Sequence, residues 1–187
     1  MAQRHAMIEL LWKGTEWAVR DGWIKRCALG LAAITLMVCL VSPWYEIHVR
    51  DDESLPQYSF FLLKKGAIPQ RGDYVAFEMA QSYADRVRPQ GPTRPYARVG
   101  KLWLKEVYGV TGDPVRVEGR TVYVNDRQVA TVIERDKYHQ PIEPANLPPV
   151  IPDGVYYLGL PHPRSFDSRV IGLVEAKDLR GVVWPIF

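Results

Sequence analysis

The run Lys101-Leu-Trp-Leu-Lys-Glu-Val-Tyr-Gly-Val-Thr-Gly-Asp113 puts a lysine where a lysine is costly. Read as a β-strand, its period-2 alternation sets Trp103, Lys105 and Val107 on one face and Leu102, Leu104, Glu106 and Tyr108 on the other. Lys105 then sits between apolar neighbours. An ammonium held against apolar surface loses hydration, which lowers its pKa from about 10.4 and leaves a neutral amine able to accept a proton. Lys105 is thus a candidate general base. The competing reading is a strand lysine whose stem lies on apolar surface while its head reaches water.

Other chemistries find little support. His5, His48, His139 and His162 stand in unrelated contexts, with no H-E-x-x-H and no carboxylate spacing for a metal, so neither metal nor cofactor is expected. Gly109-Val-Thr-Gly112 lacks the G-K-[ST] ending of a phosphate loop, and no G-x-S-x-G elbow occurs. Three stretches are more informative beside Lys105: Ser54-Leu-Pro56, Arg71-Gly-Asp-Tyr-Val-Ala-Phe77 and Ser165-Phe-Asp-Ser-Arg169-Val-Ile-Gly172. Each has a plainer reading. Ser54, after Asp51-Asp52-Glu53, suits a turn or cap, Ser59 is a nearby hydroxyl without a following x-Pro, and Asp167 with Arg169 would be a surface ion pair worth little.

Taken in order, these four stretches resemble the motifs of the serine-lysine signal peptidases (type I, S26), and more closely the conjugative-transfer, TraF-type branch. The resemblance covers most of residues 46–187 and the anchor before them. It implies Ser54 of S-x-P as nucleophile, Lys105 of K-x-x-x-G-x-x-G-D as base, and Ser165 as the serine that hydrogen-bonds the lysine, with Asp167 and Arg169 bracing the site. A serine hydroxyl needs an adjacent base as it attacks a carbonyl, and a neutral lysine can serve. The Ser54 N–H is the expected oxyanion donor. Two positions depart from the pattern. Asp52 replaces the small hydroxyl residue two before the nucleophile, and Gly159-Leu-Pro-His-Pro-Arg164 replaces the G-D-N-R-D-N run.

Several elements must position these residues. Residues 1–26 hold Arg4, Lys13, Arg20, Lys25 and Arg26 with a loosely amphipathic pattern, expected as a cytoplasmic segment. Residues 27–45 form an apolar span preceded by Lys25-Arg26 and ending in Trp44-Tyr45, expected as a transmembrane anchor contacting lipid, with the N-terminus cytoplasmic. A cleaved secretory signal is the competing reading, against which stand the long preceding region and the lack of an A-x-A-like site.

Residues 46–187 read as a mainly β domain of short antiparallel strands, barrel- or sandwich-like and, by the resemblance, of signal-peptidase type. Expected strands run over 58–63, 73–78, 102–110, 114–118, 121–124, 129–133, 154–160 and 181–186, with hairpin turns at 118–120 and 125–127. Residues 79–98 look like a surface insertion with a helical turn, and the proline-rich 136–153 like an extended connection.

At 187 residues, 47% hydrophobic and 24% charged, the chain holds one core and an appendage. A net charge of +3, with both signs interleaved, gives no nucleic-acid footprint. Cys27 and Cys39 both lie in the apolar span and suit packing rather than a bridge. The resulting expectation is an inner-membrane serine endopeptidase with a periplasmic catalytic domain. Its substrate would be an exported precursor, by resemblance a conjugative pilin, cut after small residues, with hydrolysis and cyclisation both open as outcomes. The alternative is a membrane-tethered scaffold of a transfer or secretion apparatus that keeps the fold without activity.

Overall fold

The computed structural model describes residues 22–49, 59–86, 98–136 and 139–186. The chain falls into two units, Met1–Pro43 and Trp44–Phe187.

In the first unit, helix α1 spans Trp23–Val41, 19 residues with no acidic group in its first turn and no basic group in its last. At 1.5 Å per residue it is about 28 Å long, close to the hydrocarbon thickness of a bilayer. It is long and apolar enough to cross a membrane. Its one mid-helix hydroxyl, on Thr35, bonds back to the Leu31 carbonyl, so this polar group is satisfied within the helix. The helix starts four residues before the expected span and takes Lys25 and Arg26 into its first turns, then stops short of Trp44 and Tyr45. Tyr45 instead opens a strand.

The second unit is built of antiparallel strands. Its main sheet contains β1 (Tyr45–Val49), β2 (Phe60–Lys65), β3 (Tyr74–Glu78), β4 (Leu102–Gly109), β8 (Val155–Gly159), β9 (Val174–Glu175) and β10 (Leu179–Pro185). They are ordered β1-β2-β10-β3-β4-β8-β9. A second sheet pairs β5 (Val115–Glu118), β6 (Thr121–Val124) and β7 (Arg127–Thr131) in sequence. Both expected hairpin turns form. Asn125 and Asp126 take positive φ at the β6–β7 turn, as a type I′ turn requires. The eight expected strands all appear, with edges shifted by one or two residues. β1 and the two-residue β9 were not expected.

Alternation sorts the side chains into two faces. One packs Val75, Phe77, Val107, Leu158 and Val182 with Trp103. Helix α2 (Gln81–Arg86), the helical turn foreseen in the 79–98 segment, covers it with Tyr83 and Ala84, and the short helix α3 (Ser168–Ile171) with Ile171. The other face packs Phe61, Leu63, Ala76, Leu104, Leu160 and Val183. A third cluster joins the small sheet to β8 through Val122, Val124, Ile151 and Tyr157. Gly109 makes that junction possible, since a Cβ there would lie 2.5 Å from Ile151 Cδ1 and 3.1 Å from Val124 Cγ1.

The first face is not covered throughout. In register, Ile47 of β1, Leu62 of β2 and Trp184 of β10 form one cross-strand row, in which Ile47 is 67% and Trp184 45% exposed. Val49, Phe60 and Ile186 extend the apolar surface.

Candidate active site

Lys105 lies in the middle of β4, opposite Val75, and is 2% exposed. The strand alternates as its sequence indicates: Trp103 and Val107 share the Lys105 face, whereas Leu104 packs on the other. The lysine head does not reach water, so the reading in which it snorkels outward is set aside. Its Nζ stands 5.2 Å from the centre of the Trp103 ring.

The segments before β3 and after β4 are tied together. Gly72 N–H donates to the Val107 carbonyl at 2.8 Å, and Val107 N–H to the Asp73 carbonyl at 2.9 Å. Arg71 forms an ion pair with Asp113, which also accepts the Val110 N–H at 2.8 Å. Burial alone would raise the Asp113 carboxyl's pKa. Hydrogen bonds from the Asn125 amide, the Val110 N–H and Arg71 outweigh it and hold the carboxyl below its ordinary range. The arginine of R-G-D and the aspartate closing K-x-x-x-G-x-x-G-D are thus direct partners, a pairing their separation of 42 residues does not announce.

The S-x-D-S-R stretch corrects another expectation. Asp167 and Arg169 are not a surface pair: they are 0% and 3% exposed and joined at 2.8 Å (Nε to Oδ1) and 2.9 Å (Nη2 to Oδ2). Both also serve β8. Leu160 N–H donates to Asp167 Oδ2, Arg169 Nη2 donates to the Leu160 carbonyl at 2.7 Å, and Leu158 N–H donates to Ser168 Oγ at 2.8 Å. Among the described residues β8 has no strand on this side beyond its two-residue pairing with β9 at Val155 and Tyr156, and these side chains take up the backbone groups that a strand would. Because β8 pairs with β4 at Glu106 and Val107, the box braces the strand that carries Lys105. Ser168 was an unassigned letter of the pattern, and its Oγ is what bonds the β8 backbone.

Ser165 differs from expectation. Its Oγ is buried, and no described residue is hydrogen-bonded to it, so the expected bond to Lys105 is not formed in this structure. The next residue, Phe166, packs on the cluster that includes Val107 and Trp103, which brings the loop to the Lys105 side of the sheet. Ser54 and Asp52 lie outside the described residues, as do 87–97 of the 79–98 segment.

On the opposite side of β4 a cleft of about 410 Å³ is lined by Arg71, Glu106, Tyr108, Asn125 and Arg127, among others. Burial raises the Glu106 carboxyl against the pull of Arg127, and burial pushes the Tyr108 phenol up to about 12. Among the described residues no three His, Cys, Asp or Glu side chains cluster as a metal set.

The chain is similar to a signal peptidase I from Enterococcus faecalis V583 of known crystal structure. Identity is 26%, the match covers 62% of this chain and 96% of that one, and the TM-score is 0.38. No curated protein matches the chain closely enough to count as a relative. The family described as signal peptidase, peptidase S26, matches residues 20–187, which include α1, the buried lysine strand and the braced S-x-D-S-R box. The protein therefore belongs to the signal peptidase family, peptidase S26, and is a membrane-associated serine peptidase that cleaves precursor proteins.

Proposed function

We propose that catalysis runs through a Ser54/Lys105 dyad and that the substrate is the precursor of a conjugative pilin. The observation that carries the dyad is the burial of Lys105, 2% exposed in the centre of a sheet. Burial disfavours the ammonium, so the neutral amine needed of a base is favoured.

The Ser54 hydroxyl attacks the scissile carbonyl as Lys105 Nζ takes its proton, and an Oγ–C bond forms. The C–N bond then breaks, and the lysine's proton leaves with the new amine. The freed Nζ next takes a proton from water or from the precursor's own amine as that group bonds to the acyl carbonyl. The Oγ–C bond then breaks, Nζ returns the proton to Ser54 Oγ, and the product is linear with water or cyclic with the amine. Asp167 and Arg169 are supporting residues that fix β8 against β4, and Ser165 is the hydroxyl that orients Nζ once substrate is seated.

Localisation follows from charge and order. Lys25 and Arg26 at the start of α1 favour a cytoplasmic N-terminus, with residues 46–187 on the periplasmic face of the inner membrane. Residues 1–26, 27–45 and 46–187 are then cytoplasmic segment, lipid-contacting anchor and peptidase domain.

Full-length Ser54→Ala and Lys105→Ala variants are expected to fold and to lose precursor processing by several orders of magnitude. Normal processing by either variant, in cells lacking other copies, overturns the dyad. Mass spectrometry of the pilin made with wild-type enzyme decides the product, since a cyclic chain is lighter than the linear one by one water.

A further inference from the structure

The cleft on the side of β4 away from Lys105 has a volume of about 410 Å³, the size of a small-molecule or side-chain site. Separate elements converge on it. β4 contributes Glu106 and Tyr108, the loop before β3 Arg71, the β6–β7 turn Asn125, and the start of β7 Arg127. Gly159 of β8 stands opposite Glu106, and a Cβ there would lie 2.6 Å from Cδ2 and Cε2 of Tyr108. The missing side chain is what lets the Tyr108 ring lie across β8.

The charges of the lining are two guanidinium groups, on Arg71 and Arg127, against the single carboxyl of Glu106. Arg71 commits Nη2 to Asp113 and its side chain stays half exposed, with N–H groups to spare. Arg127 acts on Glu106 through its charge without an ion pair, and no described residue is hydrogen-bonded to the Glu106 carboxyl or the Tyr108 hydroxyl. Donors thus outnumber acceptors around an open space. Guanidinium groups pair with carboxylate oxygens in a planar, two-bond geometry, and a phenol adds a third donor.

We infer that this cleft binds a carboxylate-bearing ligand, with Arg127 and Arg71 holding its oxygens and Tyr108 donating to it. The site lies outside the catalytic reading given above and does not depend on it. The ligand's carboxylate belongs either to a free organic acid or to an acidic side chain of the precursor. Glu106 makes binding selective for pH. Ionised, it repels the ligand; burial already disfavours that form, so a proton enters with the ligand and affinity rises as pH falls. The groups that face Glu106 are Tyr74 from β3, Tyr108 from its own strand and Arg127 from β7, with Gly159 opposite on β8. Other acids nearby are engaged: Asp113 with Arg71, Val110 and Asn125, Asp167 with Arg169, and Asp126 at 3.9 Å from Arg116.

The test is calorimetric titration of the full-length enzyme in detergent with glutarate, at constant ionic strength, at about pH 6 and about pH 8. Saturable binding is expected, tighter at the lower pH. Arg127→Gln, at an exposed position, is expected to weaken it about tenfold or more, and Glu106→Gln to bind equally well at both pH values. Precursor processing with and without glutarate separates the two sources. A raised KM at unchanged kcat places the carboxylate on the precursor, and an unchanged KM places it on a free acid; either upholds the site. No saturable binding, equal affinity in Arg127→Gln, or binding of 1,5-diaminopentane in place of glutarate overturns it. The titration needs no turnover, so failure of the Ser54/Lys105 dyad would leave its result untouched.

Discussion

Asp113 accepts from Val110, Arg71 and Asn125, joining the end of β4, the loop before β3 and the β6–β7 turn. Its folded pKa lies below the unfolded value of about 3.9, so its contribution is present above that value and is lost as pH falls through the folded one. Asp113→Asn is expected to cost about 2 kcal/mol at pH 7, a loss that shrinks below about pH 4 as the wild-type carboxyl protonates. Thermal unfolding of both chains in mild detergent at pH 7 and pH 3 checks this, and a gap of constant size would contradict it. Glu106, on the cleft side of the same strand, has the opposite tendency, because burial raises it and no close cation outweighs that.

At the scale of elements, the bond between the box and β8 holds the site together. Arg169 and Asp167 are buried, mutually bonded and spent on the Leu160 backbone, so Arg169→Ala leaves a buried carboxylate without its partner. The expected cost is about 3–5 kcal/mol, read from denaturant midpoints, with activity falling at temperatures where the variant is still folded because β4 loses its support. A change below about 1 kcal/mol would return the pair to an ornamental role. The sequence made much of β4 legible: the alternation around Lys105 needs only the strand period, and both faces came out as read. The depth of the Asp167–Arg169 pair was not legible, because an i, i+2 spacing is the same in a surface turn and in a buried box. Nor was β1, since Tyr45–Val49 follows an apolar span whose aromatic end reads as interface and not as strand. The family's motif order located the candidate site residues, while which of them touch is set by long-range register that local spacing does not encode.

For the whole molecule, four of the eight residues between Tyr45, the expected end of the anchor, and Ser54 are paired into β1. The tether to the proposed nucleophile therefore starts from β1 and not from the end of the helix, and the residues left free span less than the roughly 30 Å of a tether unpaired from Tyr45 to Ser54. The unpaved part of the Lys105 face, with Ile47, Leu62 and Trp184 in one row and Val49, Phe60 and Ile186 beside it, has a practical consequence for anyone purifying the enzyme. Cutting away residues 1–43 removes the membrane helix but leaves a greasy plate on the catalytic fragment. That fragment is expected to run as a monomer on size exclusion only with detergent above its micelle threshold. The paired change Ile47→Lys, Trp184→Lys should let it stay monomeric in plain buffer, and a wild-type fragment already monodisperse there would show the plate to be inert. Detergent choice is then a variable of the enzyme's assay as well as of its extraction.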